Sequence, residues 1–394
     1  MSDGAAPEVS GAVFLREVYA RMLSRIDFRK ELDRVIMTEY NCQSSPVQSS
    51  PVQSSPVQSV IMPTYNRKDM LAEAIDSVLK QSLRELEVIV VDDCSSDGTG
   101  DFVKSIPDER VRYFRNEKNS GLEWNRNFGF RQARGKYITF LDDDDYYTDY
   151  EFFQKAARIF AEHENDEVPI VMVYANADLL NTLTHKSSRW NIGAPGRVKG
   201  VDDFILGKYS KAPSTFPAVF RADVMRKAGL ENKIIFDDLT YVEAALQGDA
   251  WLMPDVIGVY RIHGASMERG YKTTTPEREA RHYETLREVI RRWQNVCLEI
   301  SRIKGKKTGE KLYRKAAYKT FRYCGVARPK FADRVKTFEC ILSETKSMPK
   351  MWTYLLLKMA IVHPIRQLLR KITPLRNFYR FLKYKCRGLP YPED

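Results

Sequence analysis

The chain has 394 residues, 43% of them hydrophobic, with 21 Tyr and 19 Phe, which is length enough for two or three domains and ample material for a packed core. A formal net charge of +11 points to an anionic partner: phosphate-rich ligands, anionic lipid or nucleic acid. Six cysteines without a CxxC or metal-ligand spacing exclude a disulfide framework and a zinc site, and no apolar run reaches the roughly 18 residues needed to span a bilayer.

Residues 8 to 40 place Val13, Phe14, Val18, Met22 and Ile26 near helical spacing, so residues 1–43 read as a helical N-terminal extension. SSPVQ then occurs three times in residues 44–58. Proline every five residues forbids helix and argues for an extended linker. The last copy runs into Val60-Ile61-Met62, so it doubles as the lead-in to a strand.

From residue 59 to about 267 apolar runs alternate with helical stretches. "SVIM" is followed by a helix with Leu71, Ile75, Val78 and Leu79 on one face, then by the strands "LEVIVV" (86–91) and "VRYF" (111–114). A helix near 122–134, the strand "KYITFL" (136–141), a helix near 149–164 and the strand "PIVMVY" (169–174) come next. Such a series predicts an α/β domain on a mainly parallel sheet covered on both faces, with ligands beyond the carboxyl ends of the strands. Three of those ends are polar: Pro63-Thr64-Tyr65-Asn66, Asp92-Asp93 and Asp142-Asp143-Asp144-Asp145. Four consecutive carboxylates repel one another, a cost that a bound hard cation removes.

Taken in order, "VIMPTYNR", "VIVVDDCSSDGT", "GKYITFLDDDD" and a later "YRIH" resemble the inverting family 2 glycosyltransferases of GT-A fold, a Rossmann-like mixed sheet that binds nucleotide-diphospho-sugars. The resemblance implies that Pro63, Tyr65 and Asn66 line the base and ribose. Asp93 would accept a hydrogen bond from the imide of uracil or thymine, which points to a uridine or thymidine nucleotide, a UDP-sugar being the first choice and a dTDP-sugar the second, and Asn119 and Arg126 would close over the nucleotide. Asp142, Asp143 and Asp144 match the D-x-D region, whose register is open by one residue. Asp142 would face the ribose or the cation, and Asp144, with His263, would hold Mn2+ or Mg2+ or reach the diphosphate. Asp237 and Asp238 stand where the family carries an acidic pair at a helix start, with Asp238 as the base for the acceptor hydroxyl. Asp in place of the usual Glu at 237 shortens one side chain. Trp190 and the loop 208–217 lie where the acceptor binds, although Trp190 fits a core position equally well.

After residue 268 the chain reads as helical and basic. From Met351 to Pro390 there are nine Lys or Arg and no Asp or Glu. Ile365, Leu368, Leu369 and Ile372 lie opposite Arg366, Arg370 and Lys371, which predicts peripheral contact with an anionic membrane at the inner face of the cytoplasmic membrane. No nucleic-acid-binding motif accompanies the charge. The partners expected are thus a nucleotide-sugar donor and a glycan or lipid-linked acceptor, the N-terminal helices either packing on the domain or joining a second copy in a homo-oligomer. Two other readings compete: a receiver-like phosphoacceptor domain, because "VIVVDD" imitates its acidic pocket, and a sugar nucleotidyltransferase, against which stands the lack of a glycine-rich, lysine-bearing phosphate loop.

Overall fold

In the computed structural model the described residues are 56–321, apart from 191, 208–213, 233–236 and 265–275. The N-terminal extension, most of the SSPVQ run, part of the expected acceptor loop and the basic segment 351–390 lie outside them.

Strand β1 (Gln58–Thr64) is buried along its whole length, as is β2 (Leu86–Asp92), because helices cover both faces of the sheet. On one face α1 (Lys68–Leu79) buries Leu71, Ala74, Ile75 and Val78 against Val60, Met62, Val88 and Val90. On the other, α3 (Leu122–Gln132) lies so close that a Cβ on Gly129 would meet Ile61 Cγ2 at 2.4 Å. The period-two alternation of the strand thus sends consecutive apolar residues to two different helices. Short α2 (Thr99–Lys104) leads to β3 (Val111–Arg115), and β4 (Tyr137–Phe140) follows α3.

The remaining elements are β5 (Tyr146–Tyr147), α4 (Phe152–Glu162), β6 (Ile170–Asn181), β7 (Lys186–Trp190), β8 (Gly196–Val198), β9 (Ala218–Arg221), α5 (Ala222–Lys227), α6 (Asp237–Ala245) and β10 (Asp249–Ile262). The sheet runs β3-β2-β1-β4-β9-β6-β10-β5, with β7 on β6 and β8 on β10. Its first four strands are parallel, as expected. The expectation of a mainly parallel sheet fails beyond them, because β9 inserts antiparallel between β4 and β6. Four residues long, β9 carries too short an apolar run to be seen as a strand.

Two reversals through β9 restore the original direction, so β6 and its parallel neighbour β10 end at the same rim as β1, β2 and β4. Thr64 pairs with Asp92, and the aspartate run begins one residue after Leu141, beyond β4. The polar strand ends therefore share one edge, and His263, immediately after β10, joins them.

Beyond β10 come α7 (Pro276–Lys304) and α8 (Lys306–Phe321), separated at Gly305, whose φ of 87° suits a residue without a side chain. Leu286, Val289, Ile290, Trp293, Val296, Cys297 and Ile300 make the buried stripe of α7. Arg292, buried on the same helix, forms an ion pair with the half-buried Glu243 of α6.

Candidate active site

The four aspartates after β4 turn sharply, Asp145 N donating to the Asp142 carbonyl at 3.1 Å, and the turn gives each carboxylate its own set of partners, Arg67 being common to two. Both oxygens of Asp142 accept from Arg126 Nη2, at 2.8 and 2.9 Å. Asp143 points inward: its Oδ2 accepts from Thr64 Oγ1 at 2.8 Å and its Oδ1 from Arg67 Nη1 at 2.7 Å. Asp144 Oδ2 is shared by Arg67 Nη1 at 3.1 Å and His263 Nε2 at 2.9 Å. Asp145 Oδ1 accepts from the backbone of Arg261 at 2.9 Å, while its Oδ2 is buried without a hydrogen-bond partner.

Burial and mutual repulsion show in the protonation behaviour. Burial pushes the Asp143 carboxyl up to about 6, against the pull of Arg67 and with the Asp144 charge adding to the push. Burial and the charges of Asp144 and Asp142 drive Asp145 well above the carboxylate range.

Arg126, one turn into α3, is the hub of the site. Its side chain is 3% exposed, and Nη1 donates to Asp237 Oδ1 at 2.7 Å while Nη2 holds Asp142. Burial opposes its charge, but the two carboxylates outweigh that and hold the guanidinium protonated. Asp237 opens α6, and Asp238 follows in the same first turn, where the helix dipole favours negative charge. Burial nonetheless raises Asp237, Arg126 opposing and Asp142 adding to the shift.

The turn after β1 leaves Tyr65 45% exposed at the rim, with Pro63 buried beneath it. Asn66 has a φ of 52°, held there by bonds from its backbone to Ser95 Oγ and from Ser96 N to its Oδ1. Asp93 is buried and already accepts from Asn116 Nδ2 at 2.8 Å, Ser120 N at 2.6 Å and Gly121 N at 2.8 Å. Part of its bonding capacity thus folds the loop 116–121 over the end of β2. Asn119 is half-buried on that loop, but the asparagine that reaches Asp93 is Asn116, which also donates to Asn125 Oδ1 at 2.6 Å. Spacing alone does not separate Asn116 from Asn119.

Trp190 ends β7 half-buried, outside the hydrophobic core, on a strand whose other residues are exposed on both faces. Sequence reasoning missed Arg67, Asp145 and Arg261. Arg67 carried a signal, being the first cation after a polar strand end that faces an aspartate run. Arg261 carried one as well, as the arginine of the YRIH stretch, but its pairing with Glu73 Oε2 at 2.7 Å joins positions too far apart in the chain to be read from it.

Asp142, Asp143, Asp144 and Asp237 are met by two guanidinium groups, those of Arg67 and Arg126, while Asp145 takes the backbone N–H of Arg261, whose guanidinium bonds the Asp144 carbonyl and Glu73. Oxygens of Asp142, Asp144 and Asp145 lie within 4.8 Å of one another. Clustered hard oxygen donors, an orphaned Asp145 oxygen and an adjacent imidazole fit Mn2+ or Mg2+.

Residues 59–226 match the family described as glycosyl transferase family 2. The chain is 33% identical over 191 residues to the GalNAc(5)-diNAcBac-PP-undecaprenol beta-1,3-glucosyltransferase of Campylobacter jejuni, covering 48% of this chain and 57% of that protein. It is 33% identical over 112 residues to the Escherichia coli UDP-Glc:alpha-D-GlcNAc-diphosphoundecaprenol beta-1,3-glucosyltransferase WfaP, covering 27% of this chain and 45% of that one. The chain thus spans about half the length of these two curated relatives. Among solved structures it is similar to TarS residues 1–349 of S. aureus in complex with UDP, with a TM-score of 0.55 and 21% identity, covering 86% of this chain and 93% of that one. At that identity the likeness establishes the fold, the GT-A arrangement.

Proposed function

We propose, from the match of residues 59–226 to glycosyl transferase family 2, that the chain is an inverting, metal-dependent glycosyltransferase that moves a hexose from a UDP-sugar to a hydroxyl of a lipid-linked or growing glycan acceptor. The observation that carries the proposal is the bridge made by Arg126, which binds Asp142 at the end of β4 and Asp237 at the start of α6. One buried cation thereby joins the donor half of the site to the acidic pair expected to serve the acceptor.

In this reading Tyr65 stacks on the base, Asn66 and Asp93 line the nucleoside, and Asp142, Asp144 and His263 hold the cation, with Asp145 beside them. When bound, Mn2+ or Mg2+ would neutralise charge developing on the diphosphate leaving group. Asp238 takes the proton from the acceptor hydroxyl as its oxygen attacks the anomeric carbon, the bond to the nucleoside diphosphate breaking on the opposite face. Asp237, tied to Arg126, fixes the start of the helix that presents this base. A dTDP-sugar satisfies the same imide-to-carboxylate pairing and is the second choice of donor.

The names of the C. jejuni and E. coli relatives specify undecaprenol-diphosphate-linked acceptors, which supports a lipid-linked acceptor here. The acidity-free stretch 351–390 supports peripheral attachment to anionic lipid at the cytoplasmic face of the membrane. Among the described residues no helix is long and apolar enough to cross a membrane. The receiver-like alternative loses support from the sheet, since receiver domains are wholly parallel whereas β9 runs antiparallel inside this one.

Calorimetric titration of UDP, dTDP, GDP and CDP with Mn2+ tests the proposal. UDP is expected to bind selectively, and more weakly without Mn2+ and in Asp144→Ala. Absence of binding by any nucleotide would remove the donor-site reading.

A further inference from the structure

We infer that Arg67 is a resident counter-ion of the cation site, whose displacement makes the cation and a nucleoside diphosphate bind cooperatively; the inference rests on the donor-site reading above. The guanidinium of Arg67 sits on Asp144 Oδ2, the same oxygen that His263 Nε2 approaches at 2.9 Å. A cation ligated there must share that oxygen with a fixed positive charge or displace it, and at such separations the repulsion is large.

The contacts of Arg67 with Asp143 and with Asp144 differ in kind. Its bond to Asp143 is the shorter, 2.7 Å against 3.1 Å to Asp144. Asp143 also stands outside the trio of carboxylates whose oxygens converge, its other oxygen being taken by Thr64 Oγ1. Asp143 is therefore an anchor that keeps Arg67 at the rim after Asp144 is released. The side chain of Arg67 is 23% exposed, whereas that of Arg126, at 3%, is locked between two carboxylates.

Geometry also says where Arg67 would go. It lies one residue beyond Asn66 and two beyond Tyr65, on the turn that leads from the end of β1, and that turn is tied to Ser95 and Ser96 after β2. A diphosphate bound between this turn and the aspartates offers anionic oxygens that a guanidinium pairs with well. Cation binding frees Arg67 for the diphosphate, and the diphosphate draws Arg67 away from Asp144. By linkage, each ligand must then strengthen the other to the same degree.

The test is a titration of Mn2+, followed by its electron paramagnetic resonance, into the full chain with and without UDP, for the wild type, Arg67→Gln and Arg67→Lys. Arg67→Gln is expected to bind Mn2+ alone at least about fivefold more tightly than the wild type, and the enhancement by UDP is expected to shrink by a similar factor, the low end of coupling between linked sites. Arg67→Lys, which keeps the charge, should behave like the wild type toward Mn2+ alone. Thermal melts establish that each variant is folded, and Arg67→Met replaces the Gln variant if that one is not. Mn2+ affinity in the neutral variants equal to or below that of the wild type, with UDP enhancement intact, would overturn the inference while leaving the donor site standing. No Mn2+ binding to the wild type even with UDP would overturn the donor-site reading and the inference together.

Discussion

Arg126 shows how much of this site rests on single side chains. A guanidinium 3% exposed is tolerable only because Asp142 and Asp237 both bind it. Arg126→Met would leave both carboxylates without their cation and is expected to cost about 3–5 kcal/mol in urea unfolding, with transfer activity lost as well. Arg126→Lys keeps the charge but cannot reach both partners in the forked geometry, so it should recover part of the stability and little of the activity. Asp238→Asn makes a different prediction. It removes the proposed base and leaves the donor side intact, so UDP affinity should persist while kcat falls by at least about a hundredfold. Sequence reading picked out Arg126 as a nucleotide-side residue, and Asp237 and Asp238 as an acidic pair. It could not see that Arg126 and Asp237, 111 positions apart, share a hydrogen bond.

At the scale of elements, the placement of α3 on the sheet decides where Arg126 sits. Gly129, three residues further along that helix, admits β1 so closely that an added methyl would lie 2.4 Å from Ile61 Cγ2 and 3.3 Å from Val91 Cγ2. Gly129→Ala is expected to lift the helix from the strand at about 1–3 kcal/mol in unfolding experiments and to weaken UDP binding, with Ile61→Ala acting as a partial suppressor in the double variant. At the opposite rim, Glu87 of β2 is 3% exposed and collects Ser59 Oγ, Arg134 N and Arg112 Nη1, tying β1, β2, β3 and the lead-in to β4 together. Burial alone would push its carboxyl up, but these donors outweigh burial and hold it below its ordinary value of 4.5. The unfolded chain therefore binds the proton more readily. The contribution of Glu87 to stability is complete above that ordinary value and is lost as pH falls through the lower, folded one. Glu87→Gln should be less stable than the wild type near neutral pH, with a shallower loss of stability in acid, measured by urea midpoints across the acid range.

For the molecule as a whole, the ion pairs of Arg292 with Glu243 on α6 and of Lys304 with Asp202 tie α7 to the preceding domain. The helix that carries the proposed base in its first turn is thus braced by the helix that leads toward the basic tail. Membrane attachment through that tail is electrostatic in the proposed function, so it should depend on lipid charge and salt. Flotation with vesicles containing anionic lipid is expected to retain the full chain at low salt, release it as salt rises, and fail with purely zwitterionic vesicles. Replacing Arg366, Arg370 and Lys371 by Glu should abolish retention without changing UDP affinity. Equal retention by zwitterionic vesicles would argue against the charge mechanism.

The chain's apolar runs, their helical interludes and the polar residues that close three of them were legible by themselves, because burial on both faces of a sheet demands continuous apolar segments and a shared rim demands parallel neighbours. That was enough to read the α/β class and the first four strands in their correct direction, and to single out the acidic strand ends that the fold places along one edge. Tertiary structure decided the rest. Only the antiparallel insertion of β9 brings β10 back to the rim and sets His263 beside Asp144. Only the turn after β4 sorts four chemically identical aspartates into one bound by Arg126, one anchoring Arg67, one meeting His263 and one buried with an oxygen unpartnered. Identical side chains carry no label in a sequence, and the partners that distinguish them come from strands and helices scores of residues away.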